Sequence, residues 1–377
     1  MKSENISTFL QERIAAKDFP SAVYLIAEKG EIVFQDALGF AVVEPELIEA
    51  RMDTIYDLAS LTKPLVTGLL CAKLIEKKQL DLDQIIEFYL PELSYDDSKL
   101  STFDNSDVLV SELLIHNSAY SAWKPFYLFV KNRNEILFEV SKTPPAEDDK
   151  KVIYSDLNFL VLTFLLEELY GARLDKIAEK EIFAPLNLQN TFYNPPKELR
   201  EKIAASEKGN EFEKQLSIDS GYEVSNHDWR EYQIWGEVHD ANCYFMNGVS
   251  GHAGLFSTAE ETFKIARQFL ASQTQLLKPE TCRLFRTNFT ENLNEARSIA
   301  FQLAETADST AGEFLSKDSF GHLGFTGTSL WIDPSKERIY ILLTNRTHHR
   351  ELPFANISDT RRRFHEIAAK ILDEEEE

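Results

Sequence analysis

Strand-forming segments sit near the two ends of this 377-residue chain, so a sheet that uses both must bring the termini together. Residues Ser21 to Phe40 read as two strands joined at Lys29-Gly30, with Val23, Leu25, Ile32 and Phe34 among the strand formers. Toward the C-terminus, His322–Ile332 and Arg338–Thr344 flank Asp333-Pro334-Ser335-Lys336, a turn set by its aspartate and proline, and predict a second hairpin. The region from about Leu80 to Gln273 reads mainly as helix and loop, with Phe159–Tyr170 and Glu261–Ala271 the clearest helices. Helices are also expected over Glu4–Ala16 and Asp359–Leu372, the latter ending in an acidic tail, Glu374–Glu377, expected to fray into solvent. The pattern predicts an α/β (α+β) sheet domain from residues 1–79 and 274–377, with a mainly helical domain, 80–273, inserted between its halves.

Charge excludes several function classes. A net charge of −22 argues against nucleic acid or an anionic membrane as partner, since both require a basic surface, and favours a small-molecule substrate. No segment reaches about 18 uncharged apolar residues, and MKSENISTFLQERIAAKDFP contains no apolar signal core, so a soluble, cytoplasmic protein is expected. Cys71, Cys243 and Cys282 are an odd number at wide spacing, which suggests buried thiols rather than disulfides or a zinc site. No repeat, low-complexity linker or phosphate-binding glycine loop is present.

Chemistry enters at Ser60-Leu61-Thr62-Lys63. On a helix, residues three apart share a face, so the Lys63 amine can reach the Ser60 hydroxyl and withdraw its proton. Accepting a proton requires a partly neutral lysine, and burial lowers a lysine pKa. Ile55, Tyr56 and Leu58 lead in as an extended apolar run, and Leu61, Leu65, Val66, Leu69, Leu70 and Leu74 follow at helical spacing in one long amphipathic helix. Pro64 falls in the first turn, where its missing N–H costs nothing. The pattern is short and recurs at Ser121-Ala122-Trp123-Lys124, but there Pro125 biases Lys124 away from helix. Taken alone, the tetrapeptide is more simply read as a serine that merely caps a helix.

Two further segments carry candidate groups. Tyr154-Ser155-Asp156 lies between Val152-Ile153 and a helix, where a tyrosine beside a lysine can pass protons to a leaving group; its plainer reading is a core aromatic followed by a helix cap. In His322-Leu323-Gly324 the glycine marks a bulge or a close backbone approach, and such a strand can offer a backbone N–H to a substrate carbonyl.

In this order and at these intervals, the three elements resemble the serine β-lactamase and penicillin-binding-protein superfamily, whose signature is Ser-x-x-Lys, a Tyr-x-Asn or Ser-Asp-Asn element, and Lys-Thr-Gly. The likeness is to the branch with histidine in place of the last lysine, and Val238–Asn242, Gly251–Thr258 and Gly321–Thr328 echo it. It runs from about Ile55 to Arg346. The resemblance implies an antiparallel sheet flanked by helices, an inserted helical domain, and a site in the cleft between them. It makes Ser60 the acylated nucleophile, Lys63 its base and Tyr154 the proton shuttle, with the N–H groups of Ser60 and Phe325 as the oxyanion hole and Gly324 beside them. His239, Asp240 and His252 would line the cleft. It implies an acyl-enzyme hydrolase without cofactor or metal, acting on an amide of a peptidoglycan-derived or D-amino-acid-containing small substrate. A small carboxylic ester is the alternative substrate, and a non-catalytic penicillin-binding sensor the alternative role.

The chain departs from the family pattern at three places. Asp156 stands where many relatives have asparagine, and His322 stands where a lysine holds the substrate carboxylate. Leu113–Ala119 replaces a Leu-Leu-Thr-His-Thr-Ser-Gly stretch and can reshape one wall of the cleft. His239-Asp240 and His227-Asp228 lack metal-ligand spacing, and His348-His349 reads as a solvated turn.

Overall fold

The computed structural model describes residues 2–93, 108–143 and 151–376. Strand β1 (Ser21–Glu28) is buried along nearly its whole length and β11 (Arg338–Thr344) along all of it, which is why both read as continuous apolar runs rather than alternating ones. They lie side by side, antiparallel, from Ala22 opposite Thr344 to Glu28 opposite Arg338. Around them the described residues form an eight-stranded antiparallel sheet. One edge is built by β2 (Glu31–Val42) and β3 (Ile48–Glu49). The other adds β10 (Ser329–Asp333), β9 (Phe320–Leu323), β8 (Phe301–Leu303) and β7 (Arg297–Ser298) in that order.

Both predicted turns are present. Lys29 and Gly30 take φ of 51° and 87°, the positive pair that a two-residue hairpin turn requires. Asp333 Oδ1 accepts from the N–H groups of Ser335 and Lys336 at 3.1 and 3.0 Å, closing the second turn. The expected strand His322–Ile332, however, is two strands. Gly324 N–H donates to Thr328 O at 2.8 Å, Gly327 takes φ 105°, and the chain reverses so that Leu323 faces Ser329 across β9 and β10.

Because side chains alternate along a strand, the sheet separates two cores. Val23, Leu25, Leu330, Ile332, Ile341 and Leu343 join the large core containing the central helices. Ala22, Tyr24, Ile26, Trp331, Tyr340 and Leu342 face Ile6 and Leu10 of the N-terminal helix (Lys2–Ala15) and Phe364, Ala368 and Leu372 of the C-terminal helix (Ser358–Glu376). That last helix runs past Leu372 instead of fraying, because Asp373 is tied to Lys336 and Arg338 of the second hairpin; Glu377 lies outside the described residues. A small second sheet, β4 (Tyr56–Asp57), β6 (Leu255–Ser257) and β5 (Phe192–Tyr193), links the Ser60 segment to the central region. No described helix is long and apolar enough to cross a membrane. Cys71, Cys243 and Cys282 are buried free thiols.

Candidate active site

Ser60 lies three positions after the end of β4. Leu58 N–H donates to Leu255 O at 2.9 Å, and then Ala59 turns the chain at φ 48°, an uncommon and strained conformation for a non-glycine residue. Asp57 Oδ1 holds the Ala59 N–H at 2.9 Å. The expected single helix is three consecutive segments: a 3₁₀ turn over Ala59–Leu61, a π-helical stretch over Lys63–Gly68, and an α-helix over Leu69–Glu76. The ring of Pro64 crowds the carbonyl four residues back, which favours the wider turn. Nor is this helix amphipathic at its start, since Lys63 to Ala72 are all buried. Ser60 does not act as a side-chain cap. Its Oγ instead accepts from Lys63 Nζ at 3.0 Å.

Lys63 is fully buried and also donates to Asp156 Oδ1 at 2.7 Å and to His252 O at 3.2 Å. Tyr154 covers it, with Nζ 4.9 Å from the ring centroid. Burial pulls Lys63 toward the neutral amine, but the Asp156 carboxylate, aided by Tyr154, outweighs it and raises the pKa above its ordinary 10.5. This corrects the expectation of a lysine made neutral by burial: its partner, Asp156, replaces the neutral asparagine of many relatives. Burial also raises the Tyr154 phenol, opposed by Lys63. Ser155 opens the helix Asp156–Tyr170, yet its hydroxyl donates to Ser121 O at 2.7 Å rather than capping it. His116, from the segment that departs from the family pattern, is buried at φ 62°, accepts from Ser155 N–H through Nδ1 at 3.0 Å, and packs 4.6 Å from the Tyr154 ring. Lys124 lies away from Ser121, donating to Thr143 Oγ1 at 3.3 Å.

The reversal after β9 is bolted to the residues just before Ser60. Thr326 Oγ1 donates to Asp57 O at 2.7 Å and Thr328 Oγ1 to Leu58 O at 3.1 Å. A Cβ on Gly324 would lie 2.0 Å from Thr328 Oγ1 and 2.6 Å from Leu58 O, so only glycine permits this approach. Arg361 of the C-terminal helix donates to Gly324 O at 2.6 Å and Thr328 O at 3.0 Å, and Arg346 to Phe325 O at 2.7 Å. Among the described residues neither the Ser60 nor the Phe325 N–H has an acceptor. His322 is buried, and its Nδ1–H donates to Leu323 O at 2.9 Å, leaving Nε2 as an acceptor without a described partner. Burial, with Lys63 and Arg297 adding to it, depresses the imidazole pKa well below 6.5, so His322 is neutral at pH 7.

Ser60, Tyr154, Asp156, His239, Asp240, His322, Gly324 and Phe325 all line one cavity of about 540 Å³. Lys63 and His252 are buried beside it and do not line it, which corrects the expectation that His252 would line the cleft: Lys63 meets the cavity through Ser60 and Asp156, and His252 through Asp240. His252 joins Asp240 Oδ1 through Nε2 at 2.9 Å and Ser250 Oγ through Nδ1 at 2.7 Å. His239 bonds Glu207 at 2.7 Å and stacks on Phe325, with centroids 5.3 Å apart. His227 packs instead against Tyr127 and Trp229. His348 is buried, accepting from Val43 N–H at 2.8 Å and donating to Ser206 O at 2.9 Å, which corrects its reading as part of a solvated turn.

The cavity also contains residues that no sequence motif singled out. Arg297, buried on β7, pairs with Glu295 at 2.7 Å, and its guanidinium lies 5.5 Å from the Tyr154 ring centroid. Glu213 projects from the helix Glu211–Asp219. Both come from segments far from the motifs, and a lone arginine or glutamate in a charged sequence carries no periodic signal.

The β-lactamase family model matches residues 6–360. An Escherichia coli (strain K12) protein named "Putative D-alanyl-D-alanine carboxypeptidase" is 31% identical over 354 residues, covering 88% of this chain and 79% of that protein. Among solved structures, EstCE1, "a hydrolase with promiscuous acyltransferase activity", aligns with a TM-score of 0.73 at 18% identity, over 96% of this chain and 97% of its own. A penicillin-binding protein homologue from Caulobacter crescentus aligns with a TM-score of 0.70 at 18% identity, over 98% and 97%. Those two likenesses concern the fold, whereas the family match spans nearly the whole chain, and the protein belongs to the β-lactamase family of serine hydrolases.

Proposed function

We propose that the protein acylates Ser60 with the acyl part of a small amide and then hydrolyses the ester. The observation that carries this reading is the 3.0 Å contact between the buried Lys63 Nζ and the Oγ of Ser60, which lines the cavity. Ser60 Oγ attacks the carbonyl carbon while its proton passes to the Lys63–Tyr154 pair, which titrates as a coupled unit. The N–H groups of Ser60 and Phe325 receive the oxyanion. Tyr154 returns the proton to the leaving amine, the C–N bond breaks, and water repeats the sequence on the ester. Asp156 holds Lys63 as an ammonium in the resting state, so proton transfer draws on a minor deprotonated fraction of the pair. His239 and Asp240 shape the wall, and His252 holds Asp240 from outside it.

The substrate we favour is an amide of a peptidoglycan-derived or D-amino-acid-containing molecule, handled in the cytoplasm. Two observations support it: the name carried by the Escherichia coli relative, and Arg297, which puts a cation in the cavity although His322 is neutral. A small carboxylic ester is the second reading, favoured by that neutral His322 and by the apolar lining from Trp123, Phe212, Leu216 and Leu323.

The test is intact-mass detection of acylation across muropeptides, D-amino-acid peptides, short esters and β-lactams, with labelling by a serine-reactive phosphonate. Ser60→Ala should abolish labelling and Ser121→Ala should retain it. Labelling that survives Ser60→Ala would end the assignment, and an acyl group that never leaves would make the protein a sensor.

A further inference from the structure

Once Ser60 is acylated, a proton acceptor is needed again, because the ester yields to a water that loses a proton as it attacks. Lys63 is poorly suited at rest: Asp156 holds it protonated, and the Tyr154 phenol beside it is also raised. The cavity contains another base. His239 Nε2 lies 2.7 Å from Glu207 Oε2, and the other Glu207 oxygen accepts from Phe212 N–H at 2.9 Å. Both residues are buried, His239 at 3% exposure and Glu207 at 5%. A carboxylate only accepts, so the proton of this contact sits on Nε2 and leaves Nδ1 with a bare lone pair. Nδ1 has no hydrogen-bond partner among the described residues and is not closed off from solvent; it opens into the cavity that His239 lines.

A histidine kept for packing has both ring nitrogens engaged. The buried His252 joins Asp240 and Ser250, His348 joins Val43 and Ser206, and His365 joins Ser329 and Thr310. His239 keeps one nitrogen free while the rest of the residue is fixed. Its N–H donates to Asp57 Oδ2 at 2.9 Å, its carbonyl accepts from Arg230 Nη2 at 2.7 Å, and its ring stacks on that of Phe325 with 22° between the planes. Asp57 Oδ1 meanwhile holds the N–H of Ala59, the residue before Ser60. The imidazole is thereby fastened both to the segment that carries Ser60 and to Phe325, the two residues whose N–H groups would receive the ester oxygen. Among the described residues no hydrogen bond or ring contact joins it to Lys63 or Tyr154, so it can take a proton independently of that pair.

We propose that His239, positioned by Glu207, is the general base for the water that releases the acyl group from Ser60, a role that rests on the hydrolase reading and assigns its second half. The water oxygen bonds to the ester carbon as one of its protons passes to His239 Nδ1, and Glu207 compensates the imidazolium that forms. The tetrahedral intermediate then collapses. The bond from carbon to Ser60 Oγ breaks, Lys63 Nζ, which already donates to that oxygen, gives it a proton, and the carboxylic acid leaves. The proton on His239 returns to Lys63 through solvent, so ester and water have become acid and free Ser60.

The probe is p-nitrophenyl butyrate: kcat/KM for release of nitrophenolate reports acylation, and intact mass after rapid quenching follows loss of the butyryl group. His239→Gln should slow that loss by roughly 10²-fold or more, so that acyl-enzyme accumulates and kcat and KM fall together, with kcat/KM close to wild type. Glu207→Gln should slow the same step by at least about 10-fold, again with kcat/KM preserved. Hydroxylamine attacks an ester without a base, so it should discharge the butyryl group from His239→Gln as fast as from wild type, which a collapsed cavity would not allow. In the wild type, loss of the acyl group should be slower in heavy water, because a proton of the attacking water is in flight. Deacylation of His239→Gln at a near wild-type rate, kcat/KM and deacylation reduced alike, an acyl group that hydroxylamine cannot remove, or no isotope effect in the wild type would each overturn the role, and the last needs no variant to fold. A wild type that acylates at Ser60 and turns over with no dependence on His239 sinks this assignment alone. A wild type that neither ester nor phosphonate acylates sinks the hydrolase reading and this role with it.

Discussion

Asp156→Asn separates the charge of the Lys63 partner from its shape. The Lys63 side chain is fully buried, that of Asp156 is 20% exposed, and the two meet at 2.7 Å. An opposite charge this close moves a pKa by about one to three pH units. Removing it leaves burial opposed only by Tyr154, so the Lys63 pKa falls, and the Tyr154 phenol, which Asp156 also raises, moves the same way. Whichever of the pair accepts the Ser60 proton, the alkaline limb of acylation should shift down by about one to three pH units, and the rate at a fixed pH below the limb should rise about 10- to 1000-fold. Stability moves oppositely. A raised lysine pKa contributes stability that is complete below the unfolded value and is lost as pH climbs through the folded one, here above 10.5. Across pH 6–9 the variant therefore lacks the whole contribution. Breaking a buried pair costs roughly 3–5 kcal/mol, and the lower end applies because Lys63 can shed its proton. At ~2.1 cal/mol/K per residue over 377 residues, about 3 kcal/mol lowers Tm by about 4 °C. The assay is the pH profile of phosphonate labelling from pH 5.5 to 10, with melting curves at pH 6 and 9. A limb that stays in place or moves up would refute the coupling of Asp156 to the base.

Three other substitutions address the rest of the site. Tyr154→Phe should slow acylation by roughly 10²-fold or more with Tm nearly unchanged, and single-turnover labelling checks it, a near wild-type rate removing Tyr154 from the proton path. Gly324→Ala drives a Cβ into Thr328 Oγ1 and Leu58 O, so it should displace the Phe325 N–H and lower kcat by about 10²- to 10³-fold, the scale of losing one oxyanion donor; kcat for a short ester reads this. His322→Lys should improve carboxylate-bearing substrates over matched neutral esters, and wild type should show no His322 transition between pH 6 and 8, since its pKa is already well below 6.5. Equal gains for both substrates would mean that residue 322 shapes the strand without meeting the carboxylate.

Local rules sufficed wherever the constraint was local. The Lys29-Gly30 and Asp333–Lys336 turns follow from residue types that fix φ or bond their own backbone, and the apolar runs of β1 and β11 announce strands buried on both faces. The Ser60–Lys63 contact was legible for the same reason, since three residues of helix set it before any tertiary contact forms. What escaped the sequence depends on residues brought from elsewhere. The split of His322–Ile332 into two strands is fixed by Thr326 and Thr328 bonding to the carbonyls of Asp57 and Leu58, some 270 positions earlier. The protonation of Lys63 was misjudged because it is decided by Asp156, 93 residues away, whose attraction outweighs the desolvation that burial alone would predict. Arg297 and Glu213 reach the cavity from elements with no motif, and an isolated charge has meaning only once its neighbours and its distance from water are known. Spacing along the chain therefore determined which side chains could react, and the packed structure decided their charge, their partners and the other groups that share the cavity.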